Sequence, residues 1–407
     1  MGADTGRSVQ GLIGMAFTLP EFTQDPLDAG FVQDPYPAYD RMRALGPLIY
    51  WREYNMLCAV SFAATNAILR DRRFGRTPPD APSVPEHLAP FYAVEANSML
   101  ELEPPRHTRL RSLVLRAFTS RRIAALGPEI DALSHQLIDE LPEGPFDLLT
   151  RFAQPLPVRI IARLLGVPAT LAPDLLRWSN AMVGMYQAGR TRAGEDRAIT
   201  ATTEFVDFMR SYIAARRDTP RDDLISHLIA AEEEGDRLTT DEMISTCILL
   251  LNAGHEATVH SIGNAVKTLI ETGHFGQTSI TDALVEETLR FDPPLHLFTR
   301  WAYEDVDVVG RIIPKGTQIA CLLGAANRCP RHWDAPASFD PARSAKANLA
   351  FGAGLHFCLG APLARLELGH ALRALVSRLP GLKLAQTPKY ADIYHFHGLK
   401  SLRVTVK

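Results

Sequence analysis

The chain has 407 residues, 46% hydrophobic and 22% charged, with a formal net charge of -3 at pH 7. That balance suits a globular protein with a large core, and it offers no basic surface for nucleic acid or an anionic membrane. Five cysteines (Cys58, Cys247, Cys321, Cys329, Cys358) form no C-x-x-C pair and no even-numbered disulfide framework, which points to a reducing, cytoplasmic compartment.

Residues 1–20 carry little pattern and are expected to be loosely ordered. Their short apolar stretch lacks the length and flanks of a secretory signal, and no apolar run in the chain reaches a membrane span. No linker, charge block or repeat divides the remainder, so residues 21–407 read as one domain. A helix over 38–45 precedes an alternating stretch, 48–60, with the period of paired strands. Pro78, Pro79, Pro82, Pro85 and Pro90 then crowd a segment that cannot be helical throughout; so long a loop is usually a lid or binding loop. Amphipathic helices are predicted over 106–118, 128–141, 155–165, 172–186 and 202–217. Thr239 and Glu242 have capping-box spacing and open an apolar-periodic run that Gly273 can end. At ~1.5 Å per residue this helix is about 50 Å long and crosses the whole domain. Its middle, Asn252-Ala253-Gly254-His255-Glu256-Ala257-Thr258, places polar groups and a glycine inside a core-like helix. Short strands (306–313, 318–323), an irregular stretch (327–350) and a last helix (362–379) complete a mainly α chain with small β-sheets.

The most informative segment is Phe351-Gly352-Ala353-Gly354-Leu355-His356-Phe357-Cys358-Leu359-Gly360. A lone free cysteine is most often an inert core thiol. Here Gly352, Gly354 and Gly360 permit tight turns and close approach of backbone to a flat ligand. Pro362 suits the first turn of a helix, so Cys358 precedes a helix N-terminus, where N–H groups favour a thiolate.

This string resembles the haem-binding signature of the cytochrome P450 family at every fixed position. The resemblance covers nearly the whole chain, from Asp34 onward, in the family's motif order. It implies a single-domain P450 fold with haem b buried between the long helix and the cysteine-loop helix. Cys358 is then the iron ligand, Phe351 packs on the thiolate side and His356 contacts a propionate. Glu287 and Arg290, three apart on one helix face, read alone as a surface ion pair. They resemble the family's glutamate-x-x-arginine pair, with Arg343 as its third, structural member. His107 and Arg111, at i and i+4, read alone as a solvated basic helix end. The resemblance makes them propionate ligands together with Arg300.

The centre of the long helix resembles the family's oxygen-binding groove, where small residues such as Gly254 open the helix ladder. The family pattern is acid, then threonine, and Glu256 matches the acid. Ala257 stands where the threonine belongs, and Thr258 is one position late, pointing roughly 100° away. Two explanations stay open: ordered water or the substrate supplies the missing hydrogen bond, or the chain does something other than efficient hydroxylation.

By resemblance the substrate pocket is lined by Phe91, Met99, Leu100, Met182, Met185, Tyr186, Leu250, Ala253, Leu295, Leu297, Phe298 and Phe396. Core packing is the competing account of each. His296, Tyr394, His395 and His397 are further polar handles, for which a satisfied surface histidine is the plain alternative. The implied activity is insertion of one oxygen atom from O2 into a hydrophobic small molecule, by hydroxylation or O-dealkylation. No reductase is expected on this chain, so electrons come from a separate ferredoxin and its NAD(P)H-dependent reductase, docking around Arg109 and the cysteine loop. A monomer is expected. A non-catalytic haem sensor or carrier is the competing class, encouraged only by Ala257. A peroxygenase is disfavoured, because Glu256 and Ala257 replace the arginine and proline of those relatives.

Overall fold

The longest element begins as its capping box dictates. Thr239 Oγ1 accepts the Glu242 backbone N–H at 3.2 Å, and Glu242 Oε2 accepts the Thr239 backbone N–H at 2.9 Å. These bonds open the helix Thr240–Glu271. Gly273, at φ +75°, closes it by donating to the Ile270 carbonyl. The computed structural model describes residues 19–80, 83–186, 190–233, 235–344, 346–392 and 396–406. Residues 1–18, Tyr394 and His395 lie outside that set, and with them most of the expectation for residues 1–20.

The long helix packs against Pro155–Leu165, Ala172–Val183, Arg192–Asp218, Asp282–Phe291 and Ala361–Arg378. Its Ile248, Leu251, Ile262 and Leu269 share the main core with Leu156, Ile160, Leu368 and Leu372. Each such buried side chain contributes about 1.5–3 kcal/mol relative to exposure.

A six-stranded sheet flanks this helical core, in the order Glu21–Phe22, Leu48–Trp51, Met56–Ala59, Gln318–Leu322, Leu297–Ala302, Phe74–Gly75. Alternation along Gln318–Leu322 sends Ile319 and Cys321 to one core and Ala320 and Leu322 to another, built on Tyr39 and Trp51. Gln318–Leu322 runs parallel to Met56–Ala59 and antiparallel to Leu297–Ala302, with Arg300 opposite Ile319 and Phe298 opposite Cys321. Mainly α with small sheets is the observed architecture.

Several boundaries differ from expectation. The helix read over 202–217 is Arg192–Asp218: Thr191 caps it by accepting the Gly194 N–H at 3.2 Å, and its first turns lack the apolar period. The helix read over 172–186 stops at Val183 and tightens into a 3-10 turn, Gly184–Tyr186. The proline-rich stretch gives way early to the helix Ala89–Glu95, with Pro90 in its first turn. The long helix is α-helical throughout, so Gly254 does not mark a break. A Cβ there would lie 3.0 Å from Ile161 Cδ1, and its absence lets two helices approach.

Candidate active site

The cysteine loop is shaped by left-handed glycines. Gly352 (φ +68°) and Gly354 (φ +72°) precede the helix Ala361–Arg378. A Cβ on Gly354 would come within 2.1 Å of the Leu69 carbonyl oxygen, and one on Gly352 within 3.1 Å of the Phe298 ring. The loop is therefore pressed onto the end of the helix Phe62–Arg70. For Gly360 an added Cβ would meet only Cys358 Sγ, at 3.9 Å, an ordinary contact.

Cys358 is half-buried, and its backbone N–H donates to the Phe351 carbonyl at 3.1 Å. Burial pushes the thiol up, while the N–H groups of Gly360 and Ala361 and the charge of Arg111 and Arg365 oppose that rise. The helix terminus thus favours the thiolate as expected, but burial outweighs it, and a bound cation is what would complete deprotonation. Arg365 lies over the Phe351 ring, 4.6 Å from its centroid, and pairs with Glu286.

Cationic and imidazole groups collect beside this loop. Arg111 Nη2 donates to the Phe357 carbonyl at 2.7 Å. His107 is 1% exposed, its ring is 4.4 Å from that of His356, and neither of its nitrogens has a hydrogen-bond partner. Burial, aided by His356 and Arg111, pushes His107 down to about 4. Arg300 is 2% exposed and donates to the Thr299 carbonyl at 2.8 Å. No carboxylate among the described residues pairs with it, and burial with repulsion from Arg76 lowers it to about 10. His356 is engaged by Glu103, Nε2 to Oε1 at 3.1 Å, so a propionate would have to share it.

These features fit a haem. A buried guanidinium without a carboxylate and two orphan imidazole nitrogens are costly. Two propionates would satisfy them, beside a sulfur able to ligate iron.

The Glu287–Arg290 pair is buried, 1% exposed on each side chain, with Nε to Oε2 at 2.6 Å. Arg343 Nε adds 3.0 Å to Glu287 Oε2. Arg290 also donates to the carbonyls of Asn327, Pro336 and Ser338. The surface reading is therefore replaced by a buried knot that pins the irregular stretch before the cysteine loop.

On the long helix, Leu250, Ala253, Gly254 and Ala257 keep accessible surface, while Leu251, Asn252, His255 and Thr258 are buried. The i, i+3, i+4, i+7 spacing puts the accessible set on one face. Thr258 Oγ1 donates to the Gly254 carbonyl at 2.8 Å, so its hydroxyl belongs to the helix backbone and not to the open face. Glu256 Oε1 is 3.8 Å from His260 Nε2, and Glu256 Oε2 is buried without a partner.

Of the pocket residues, Phe91, Met99, Met182 and Met185 are buried in the main core, against which Leu250 also packs. The Phe91 and Tyr186 rings meet at 6.0 Å; Leu295 bridges Phe396, and Phe298 lies on Gly352. Leu100 is half-buried in the short turn Met99–Glu101. Leu297 is misassigned: one residue out of phase with Phe298, it packs on the opposite sheet face, with the Tyr39 core. His296 and His397 are buried rather than surface histidines. Arg109 is not a free docking cation either. Its guanidinium binds Asp236 and both oxygens of Glu242, at 2.9 and 3.1 Å for the latter.

Sequence reasoning missed Glu95, which burial and the neighbouring Glu101 push up to about 7 while it accepts from Tyr186 Oη at 3.0 Å. Its only signal is an acid four residues after Phe91, on a face that is otherwise apolar. Glu103 was also missed.

The family model for cytochrome P450 matches residues 270–389. A cytochrome P450 monooxygenase, PikC of Streptomyces venezuelae, is 35% identical, spanning 96% of this chain and 95% of that protein. The biotin biosynthesis cytochrome P450 of Bacillus subtilis is also 35% identical, over 92% and 97%. Among solved structures, P450BioI in complex with hexadec-9Z-enoic acid ligated acyl carrier protein superposes with a TM-score of 0.87 at 34% identity, covering 93% of this chain and 100% of that one. With relatives this similar matched over nearly their full length, and with a cysteine loop, buried knot and cation set arranged for a haem b, the chain belongs to the cytochrome P450 family of haem-dependent monooxygenases.

Proposed function

We propose that this P450 inserts one oxygen atom into an apolar small molecule by hydroxylation or O-dealkylation, using electrons from a separate ferredoxin and its NAD(P)H-dependent reductase. The observation that carries the reading is the accessible apolar stripe Leu250, Ala253, Gly254 and Ala257 in the middle of a largely buried helix. The haem supplies the redox and oxygen chemistry when bound. Cys358 holds its iron; Arg300, His107 and Arg111 hold its propionates. On the stripe's edge Glu256 is the acid, and its unpartnered Oε2 is the atom placed to hold a proton. Leu295, Phe298 and Phe396 add apolar walls. The hydroxyl missing at Ala257 is supplied by water or by the substrate. Exposed Phe357 and Leu115, with Arg111 between the cysteine loop and its helix, support docking of the redox partner on this side.

The test is a visible-absorbance titration of the ferric protein with apolar compounds. Long-chain fatty acids belong in the panel because P450BioI is described with an acyl chain. A Soret shift to the high-spin form, followed by product formation with surrogate redox partners, supports the reading. High-spin binders that never yield product while NADH is consumed only at background rate favour a sensor or carrier. A protein without a thiolate-type spectrum refutes the haem site itself.

A further inference from the structure

Against Tyr36 and Tyr39, outside the site above, lies a cluster with the composition of a metal centre. Asp292, His296 and His397 are all buried, and one ligand atom from each lies within 4.8 Å of the other two. His397 Nε2 is 3.5 Å from Asp292 Oδ1. That is long for a hydrogen bond. It is close to the ~3.4 Å between two ligands held tetrahedrally ~2.05 Å from one zinc ion. His296 Nε2 is buried and no hydrogen bond of good geometry reaches it, although the Pro293 carbonyl lies near the ring.

The surroundings are those of a held ligand set. Tyr39 Oη is bonded to His296 Nδ1 at 2.9 Å, fixing the ring so that Nε2 is the free nitrogen. Asp292 accepts from Tyr36 Oη at 3.3 Å on Oδ1 and from Tyr390 Oη on Oδ2. Carboxylate oxygens have lone pairs to spare beyond these bonds. The three backbones are tied without any ion. Asn264 Nδ2 donates to the carbonyls of both Asp292 and His397, at 3.2 and 2.8 Å. The His397 N–H bonds the Pro294 carbonyl, and the Leu323 N–H bonds that of His296, both at 2.8 Å. A Cβ on Gly324 would stand 2.9 Å from His296 Nδ1, so the glycine makes room for the ring.

Two cations flank the cluster, each engaged elsewhere. Arg328 stacks on Tyr36 and turns its N–H groups to the Phe291 carbonyl. Lys267 pairs with Glu271 at 2.8 Å.

We propose that Asp292, His296 and His397 bind a structural zinc ion, with Tyr36 Oη or a water completing the tetrahedron. The ion cross-links the end of the helix Asp282–Phe291, the segment leading to Arg300 and the C-terminal segment carrying Phe396. It therefore fixes the Leu295–Phe396 corner. The proposal does not depend on the haem reading.

The experiment is metal analysis of the haem-loaded protein, expressed with zinc in the medium and dialysed against EDTA. Zinc and iron per chain are measured by mass spectrometry, and crystals are examined by anomalous scattering at the zinc edge. About one zinc per chain, with an anomalous peak among the three side chains, is expected. The double variant His296→Ala, His397→Ala should lose it and retain the haem spectrum. Folded wild-type protein with less than about a tenth of a zinc per chain overturns the proposal, the cluster then holding a water. Zinc with its anomalous peak elsewhere overturns it too, and this readout decides even if the double variant does not fold.

Discussion

Glu367 lies on the helix that follows Cys358 and is 1% exposed. Its Oε1 has no hydrogen-bond partner, and burial alone pushes its carboxyl from 4.5 up to about 8. The folded protein therefore holds this proton at neutral pH, whereas the unfolded chain releases it above 4.5. Stability from this group is full below pH 4.5 and is lost as pH rises towards 8. Between 4.5 and 7 there are about 2.5 pH units, and at ~1.36 kcal/mol per unit ionisation costs about 3 kcal/mol at pH 7. At pH 5 the same sum gives about 0.7 kcal/mol. Glu367→Gln removes the ionisation, so the variant should gain on the wild type by about 2.5 kcal/mol between pH 5 and 7. Any fixed cost of the new amide cancels in that difference. Guanidinium unfolding curves at pH 5, 6, 7 and 8 measure it. A wild-type-minus-variant difference that stays flat over this range would refute a neutral buried Glu367.

Glu287→Ala leaves Arg290 and Arg343 without their carboxylate. Breaking a buried pair from one side costs about 3–5 kcal/mol; the thiolate haem spectrum should weaken or vanish, and retention of full haem at wild-type stability contradicts the role given to the knot. Arg300→Leu removes an unpaired buried cation, so the folded protein should tolerate it while haem passes to a scavenger globin at least about tenfold faster, the equivalent of ~1.4 kcal/mol of binding. An unchanged transfer rate removes Arg300 from the propionate set. Ala257→Thr adds a hydroxyl to the open helix face; product formed per NADH should stay level or fall, and a large gain would show that neither water nor substrate supplies the missing bond.

Much of the site was legible because it is written in local strings. The loop Phe351 to Gly360 carries its own glycines, and φ at Gly352 and Gly354 is a local property. The capping box at Thr239 is likewise decided within four residues. What could not be read is set by partners far along the chain. Arg109 looks like a free surface cation until Asp236 and Glu242 close on it. Leu297 looks like its neighbours until the register of the strand Leu297–Ala302 against Gln318–Leu322 sends it to the other face. Gly254 looks like an opening in the helix until Ile161, on a different helix, comes within 3.0 Å of where its Cβ would stand. Glu95 gained its perturbed carboxyl from burial beside Tyr186, which no spacing rule encodes.

The balance of charge around the cysteine loop carries the argument further than any one motif. Arg300 is buried without a carboxylate partner and His107 with both ring nitrogens unpartnered, Arg111 and His356 add to them, and Glu103 is the carboxylate that answers His356. A protein that had no ligand here would do better with apolar residues of the same volume, since buried unpaired charge costs more than packing returns. The surplus is thus explained by two carboxylates that arrive with the cofactor, and the same surplus predicts an order of assembly. Before the haem binds, Arg300 is buried facing the charge of Arg76 and the His107 ring nitrogens lack partners, so this side of the molecule should be the least protected from hydrogen exchange in the haem-free protein. Haem should slow exchange most along Arg106–Ala117 and the Arg300 strand, and less at the Glu287–Arg290–Arg343 knot, which is closed by its own charges. Equal protection at both places, with and without haem, would mean that the cation set is balanced by something other than propionates.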